Sequence, residues 1–148
     1  MIRVAYPEPR FRIKDEAQRK LIFCTIRKRW LVLTEEEWVR QNFVRYLVGV
    51  LLYPASLIAL EKEVDLNGLK KRFDILVYNH KHEPWMLIEC KEPAVSINEN
   101  VLQQVLRYNI TVPATYLVIT NGNATAAWKS AGGQLVQLTQ LPEWTDKL

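Results

Sequence analysis

Arg72-Phe73-Asp74-Ile75-Leu76-Val77-Tyr78, and after a short polar turn Trp85-Met86-Leu87-Ile88-Glu89-Cys90-Lys91, are the two segments whose reading decides the fold. Both are dense in β-branched, aromatic and other apolar residues, and both read as β-strands. Side chains two apart on a strand share a face, so Glu89 and Lys91 project together from a strand whose other residues are almost all apolar. A carboxylate and an ammonium on a buried strand are costly to desolvate unless something pairs with them. A divalent cation and a phosphate meet that need. For Asp74 alone, an Asp at a strand end bonded to a turn is the structural alternative. For Glu89 and Lys91 the alternative is an exposed ion pair on an edge strand, which the apolar run Trp85-Met86-Leu87-Ile88 argues against.

Outward from this pair the pattern is regular. Thr34 with Glu37 forms a capping box that opens a helix, and Glu35 and Glu36 suit its positive end. Val39, Phe43, Tyr46, Leu47, Val50 and Leu51 recur at helical spacing up to Pro54. Residues 57–66 and 71–78 read as strands joined by the Asn67-Gly68 turn, and 85–91 as a third strand closed by Pro93. Ser96 and Glu99 form a second capping box for a helix to about Asn109; residues 115–120, 124–129 and 134–138 follow as strands. The order helix, three-strand meander, helix, strand predicts an α/β (α+β) protein with a mixed sheet and helices packed on it. Residues 1–14 read as an extended arm and 20–33 as one or two strands around a basic turn. The expected layout is therefore an N-terminal arm and β-hairpin extension over 1–33 and a core over 34–148.

Composition sets broad bounds. The chain has 148 residues, 49% hydrophobic and 24% charged, with a net charge of +4. This describes an ordinary globular protein with one core, and a mildly basic one compatible with a polyanionic partner. No segment reaches the length of a membrane span and the N-terminus lacks a signal-peptide layout, so a cytoplasmic location with no membrane partner is expected. Cys24 and Cys90 are expected to be reduced, because a chain of this size needs no staple.

Phosphodiester hydrolysis requires carboxylates that hold Mg²⁺ or Mn²⁺, and an Asp and a Glu on adjacent strands can share one ion. Asp74 and Glu89 are the candidate ligands, with the backbone carbonyl of Cys90 completing the shell. Three roles are open to Lys91: orienting the attacking water, deprotonating it, or neutralising the phosphate. Gln104 and Tyr108, four apart on one helix face, are candidate supporting residues, as is Glu36, which falls on the stripe of Val39, Phe43 and Leu47. Arg40, one turn after Glu36, could pair with it or reach a phosphate, and Lys71 and Arg72 are candidate phosphate contacts. His80-x-His82 lacks a nearby acid or cysteine cluster and is not read as a zinc site.

Five segments in order carry a more specific likeness: residues 34–41, 72–75, 87–91, 104–109 and 118–122. Together they resemble the PD-(D/E)xK nuclease superfamily, in the form of the N-terminal nuclease domain of type I restriction enzyme R subunits. The resemblance spans about residues 20–130. It implies an α-β-β-β-α-β restriction-endonuclease-like core and Mg²⁺-dependent cleavage of DNA, with Asp74, Glu89 and Lys91 as catalytic residues and Gln104 and Tyr108 as a Q-x-x-x-Y element. It also implies DNA, a homodimer or other restriction-system subunits as partners. These 148 residues contain no Walker A motif, so ATP-driven translocation is not expected of them. The competing expectation is a nucleic-acid-binding or assembly module that keeps the fold without turnover.

Overall fold

The computed structural model describes residues 1–66, 68–109 and 112–146, without the side chains of Leu66, Leu69, Tyr108 and Asn109. Asn67 of the expected turn therefore lies outside the described residues. Three strands, β1 (Ile13–Glu16), β2 (Arg19–Cys24) and β3 (Arg29–Val32), form an antiparallel sheet of their own. Strand β1 was expected as part of the arm. It pairs Ile13 with Ile22 and Lys14 with Leu21, turning the expected hairpin into a three-stranded sheet. The arm before it is tied down by a bridge from Ile2 to Thr125.

Helix α1 (Glu35–Gly49) follows directly, and Thr34 Oγ1 accepts the Glu37 N–H at 3.0 Å as the cap requires. Only half of the capping box forms, because the Glu37 carboxylate turns away to Arg27, Arg40 and Gln41. Val50, expected on the buried stripe, is exposed beyond the helix end.

A short 3₁₀ turn (Ala55–Leu57) leads into β4 (Ile58–Leu66), β5 (Leu69–Tyr78) and β6 (Pro84–Cys90). Helix α2 (Glu99–Asn109) then crosses over to β7 (Tyr116–Thr120), which pairs with β6 in parallel. Strands β8 (Thr125–Ala131) and β9 (Gln134–Gln137) complete a six-stranded mixed sheet in sequence order. The protein is thus a mixed α/β fold whose α1-β4-β5-β6-α2-β7 order is the expected α-β-β-β-α-β core, compatible with a restriction-endonuclease-like fold. Helix α2 begins at a different cap from the one expected. Asn98 Oδ1, not Ser96, accepts the Val101 N–H at 3.0 Å.

Each helix covers one face of the sheet. Val39, Phe43 and Leu47 of α1 pack with Ile75, Val77, Met86, Ile88 and Val118. Val105 of α2 packs with Phe73, Leu76, Leu87, Leu117 and Ile119 on the other face. No helix among the described residues is long and apolar enough to cross a membrane, and Cys24 and Cys90 are free buried thiols.

The strand carrying Asp74 departs from simple alternation. Phe73 was expected on the face of Ile75 and Val77, yet it packs with Leu76 in the opposite cluster. The reason lies on the neighbouring strand. The β4–β5 register runs Leu60↔Ile75 and then Lys62↔Phe73, and between these pairs Glu61 takes a left-handed backbone with φ +52°. That local twist resets the pleat beside Asp74.

Candidate active site

Asp74, Glu89 and Lys91 are brought together by register. The β5–β6 pairing reaches Ile75↔Ile88 at this end, and one step further along the same register Asp74 falls opposite Glu89. Both carboxyl groups are mostly but not wholly covered, with side chains 18% and 22% exposed, and Lys91 at 33% reaches solvent beside them. Lys91 Nζ stands 3.4 Å from Glu89 Oε1. The Lys91 backbone N–H donates to Thr120 O at 2.8 Å, which extends the β6–β7 alignment past the strand end. Asn121 Oδ1 closes the following turn through the N–H groups of Asn123 and Ala124, and its Nδ2 donates to Val95 O at 2.8 Å. Gly122 needs to be glycine here: its φ is +91°, and a Cβ would stand 3.3 Å from Val39 Cγ2.

Asp74 is held at both oxygens. Its Oδ2 accepts the Cys90 N–H at 2.8 Å and its Oδ1 accepts from Arg40 at 3.1 Å. Arg40 is itself only 3% exposed and also meets Glu37, Glu36 at 3.2 Å and Glu61 at 3.7 Å. Burial alone would favour its neutral form, but the charges of Glu37 and Asp74 outweigh that and raise its pKa. Glu61 receives Arg72 at 2.8 Å and Arg27 at 3.0 Å. Burial pushes the Glu61 carboxyl up, but Arg40, Arg72 and Arg27 more than reverse this and lower its pKa.

Across this connected group four cations (Arg27, Arg40, Arg72, Lys91) meet five carboxylates (Glu36, Glu37, Glu61, Asp74, Glu89). The uncompensated negative charge appears at Glu89. Its pKa is pushed up to about 7, first by burial and then by the charge of Asp74, with Lys91 opposing. Two carboxyl groups that cannot both ionise comfortably lack a positive charge between them.

That is the condition a divalent cation satisfies, and the donor set fits one. Mg²⁺ is commonly held by one or two carboxylates, with waters and a substrate phosphate filling its other positions. Among the described residues no three His, Cys, Asp or Glu side chains come together as a metal-holding group. The Cys90 side chain takes no part. It is fully buried on the α1 face, and burial together with Asp74 raises the thiol pKa well above its ordinary value.

The remaining expected residues divide. Glu36 is exposed and reaches the site only through Arg40. Arg40 makes the pairing with Glu36 that its spacing offered and is buried among carboxylates rather than open to a phosphate, because its α1 position faces the Asp74 strand. Lys71 is buried as well, so its expected phosphate contact does not match its placement; Arg72 is exposed and bound to Glu61. Gln104 lies exposed on α2 with no hydrogen bond to Asp74, Glu89 or Lys91 among the described residues. The Tyr108 side chain lies outside the described residues. Sequence reading missed Glu61 as a participant and gave Glu37 only a capping role. Glu61 sits among Glu63 and Asp65 in a strand with exposed alternate positions, and nothing in that pattern singles it out.

Residues 35–142 match the family described as type I restriction enzyme R protein N terminus. The match includes Asp74, Glu89 and Lys91 and excludes the three-stranded N-terminal sheet. No curated protein matches the chain.

Proposed function

The chain belongs to the type I restriction enzyme R protein N-terminus family, and on that premise we propose that it is a PD-(D/E)xK-type nuclease domain hydrolysing DNA phosphodiester bonds with Mg²⁺ or Mn²⁺. The observation that carries this reading is the cross-strand pair of Asp74 and Glu89, short of one positive charge, beside Lys91. Asp74, Glu89 and the Cys90 backbone carbonyl would hold the ion. A bound divalent cation supplies a more acidic water and neutralises charge building on the phosphorus centre.

The chain's own groups do the rest. Arg40 and the Cys90 N–H fix the Asp74 carboxylate in one orientation, so that no rotamer is lost when it ligates. Lys91, on the same strand face as Glu89, orients the attacking water and meets the scissile phosphate. Water attacks phosphorus, the P–O bond to the leaving deoxyribose oxygen breaks, the proton released by the attacking water passes to solvent through the exposed side of the site, and the leaving oxygen takes a proton from solvent there. DNA and other restriction-system subunits are the proposed partners, in the cytoplasm.

One observation favours the competing binding-module reading: Arg40 and Lys91 pair directly with Asp74 and Glu89. Cleavage of supercoiled plasmid in Mg²⁺ or Mn²⁺ separates the two. Wild type should nick or linearise the plasmid, while Asp74→Ala and Lys91→Ala, with their circular dichroism unchanged, should each lose about 100-fold or more. A wild type that binds DNA yet leaves the plasmid intact in either metal would favour the binding module.

A further inference from the structure

The N-terminal sheet lies outside the family match and concentrates the positive charge of the chain. Residues 1–33 hold nine Lys and Arg against three Asp and Glu, whereas residues 34–148 hold eleven against thirteen. The basic character of the protein thus belongs to this extension alone.

The sheet has two unlike faces. Ile22 and Cys24 point inward and are buried. The opposite face carries Lys14, Glu16 and Arg19 with Phe23, Trp30 and the buried Leu21, as the pairs Lys14↔Leu21, Glu16↔Arg19 and Phe23↔Trp30 require. The two rings meet edge to face at 5.4 Å. Arg12 lies 4.6 Å over the Phe23 ring and 5.3 Å from that of Trp30, and Lys14 lies 4.4 Å over Trp30. A cation held on a ring face loses side-chain freedom without losing charge, and its outer N–H groups stay available. Lys14 has Glu16 at 3.3 Å and Lys20 has Asp15 at 3.2 Å, both exposed pairs that yield readily to a stronger anion. Arg12, Arg19 and Arg29 have no carboxylate partner within ion-pair distance among the described residues. Beside this face a mostly apolar groove of about 350 Å³, lined by Val44, Val48 and Leu60 with Arg10, Arg12 and Arg45 among its other residues, runs towards α1.

We propose that the outer face of the β1–β2–β3 sheet binds the phosphate backbone of duplex DNA, with Phe23 and Trp30 presenting Arg12 and Lys14, and Arg19 extending the row. The occupant follows from charge complementarity: a row of cations, of which only Lys14 has a carboxylate within ion-pair distance among the described residues, fits a regularly spaced polyanion, and such contacts need no base sequence. The sheet is also fastened to the candidate active site. Arg27, in the β2–β3 turn, bonds Glu37 and Glu61, which in turn meet the Arg40 that holds Asp74. DNA held on the sheet is therefore held on a platform rigidly joined to the site. That consequence rests on the nuclease reading; the binding itself does not.

The test is fluorescence anisotropy of a labelled DNA duplex with the full chain over a series of salt concentrations. The variants are Arg12→Gln/Lys14→Gln/Arg19→Gln, a core control Lys81→Gln/Lys129→Gln, and Asp74→Ala. The triple variant should lose tenfold or more in affinity, with the slope of log K against log salt shallower by about 2 to 3, since each phosphate contact contributes roughly 0.9. The core control and Asp74→Ala should bind within about twofold of wild type. Trp30→Ala should weaken binding several-fold although it removes no charge, because Arg12 and Lys14 lose their support. A triple variant that binds like wild type, or a wild type that binds no duplex, overturns the proposal. Tighter binding of a single strand than of the duplex overturns the choice of occupant. Binding that depends on the sheet in a protein that cleaves nothing upholds this proposal while the nuclease reading fails.

Discussion

Glu89 is held close to Asp74 by strand register, and its pKa of about 7 stands above the ordinary 4.5 because burial and the Asp74 charge both disfavour ionisation. The folded protein therefore keeps a proton that the unfolded chain releases between those two pH values. In the metal-free protein this contribution to stability is complete below about pH 4.5 and declines as pH rises through 7. Thermal unfolding from pH 4.5 to 8 in EDTA should show that loss, on the order of 2 kcal/mol, and Glu89→Gln should flatten it; an equally steep decline in the variant would contradict the assignment. Arg40 is the second decisive residue. Replacing this 3%-exposed side chain with Met would leave Asp74 without its cation and Glu37 with Arg27 alone, and a loss of about 3–5 kcal/mol is expected in urea unfolding. Arg40→Lys, which keeps the charge but not the forked donors, should lose clearly less.

At the level of elements, helix α2 offers a sharp comparison, because two residues compete for the start of the helix. Asn98 makes the capping bond and Ser96 does not, so Asn98→Ala should cost about 1 kcal/mol while Ser96→Ala leaves the melting temperature within error. This also shows how far sequence reading reaches. Strands β4 to β9 and both helices were legible because their apolar residues recur at the periods of strand and helix and their ends carry Gly, Asn, Pro or caps. Asp74, Glu89 and Lys91 were legible because charge in an otherwise apolar strand is an anomaly that demands a partner. Glu61 was not, since its part in the cluster depends on a left-handed backbone and three arginines from separate elements. For Arg40 the pairing with Glu36 one helical turn away was legible, but its bonds to Glu37 and Asp74 were not, because they depend on how the helix packs against the strand behind it. Strand β1 was hidden because Ile13-Lys14-Asp15-Glu16 is exposed throughout and has no core-facing alternation.

On the scale of the whole molecule, the two sheets divide the chemistry. The six-stranded sheet gathers carboxylates where the middle of β5 meets the end of β6, and the three-stranded sheet gathers cations on its outer face. A nuclease needs both, since carboxylates hold a metal but repel DNA unless a basic surface outweighs them. The claim on which the account turns is that the missing positive charge between Asp74 and Glu89 is a divalent cation. Titrating the full chain with Mn²⁺ at pH 7.5, and following the paramagnetic resonance signal of the free ion, measures this directly. One site per chain is expected in wild type, weakened at least tenfold in Asp74→Ala and in Glu89→Gln. Mn²⁺ that stays free in wild type, or binds both variants as tightly, would contradict the account.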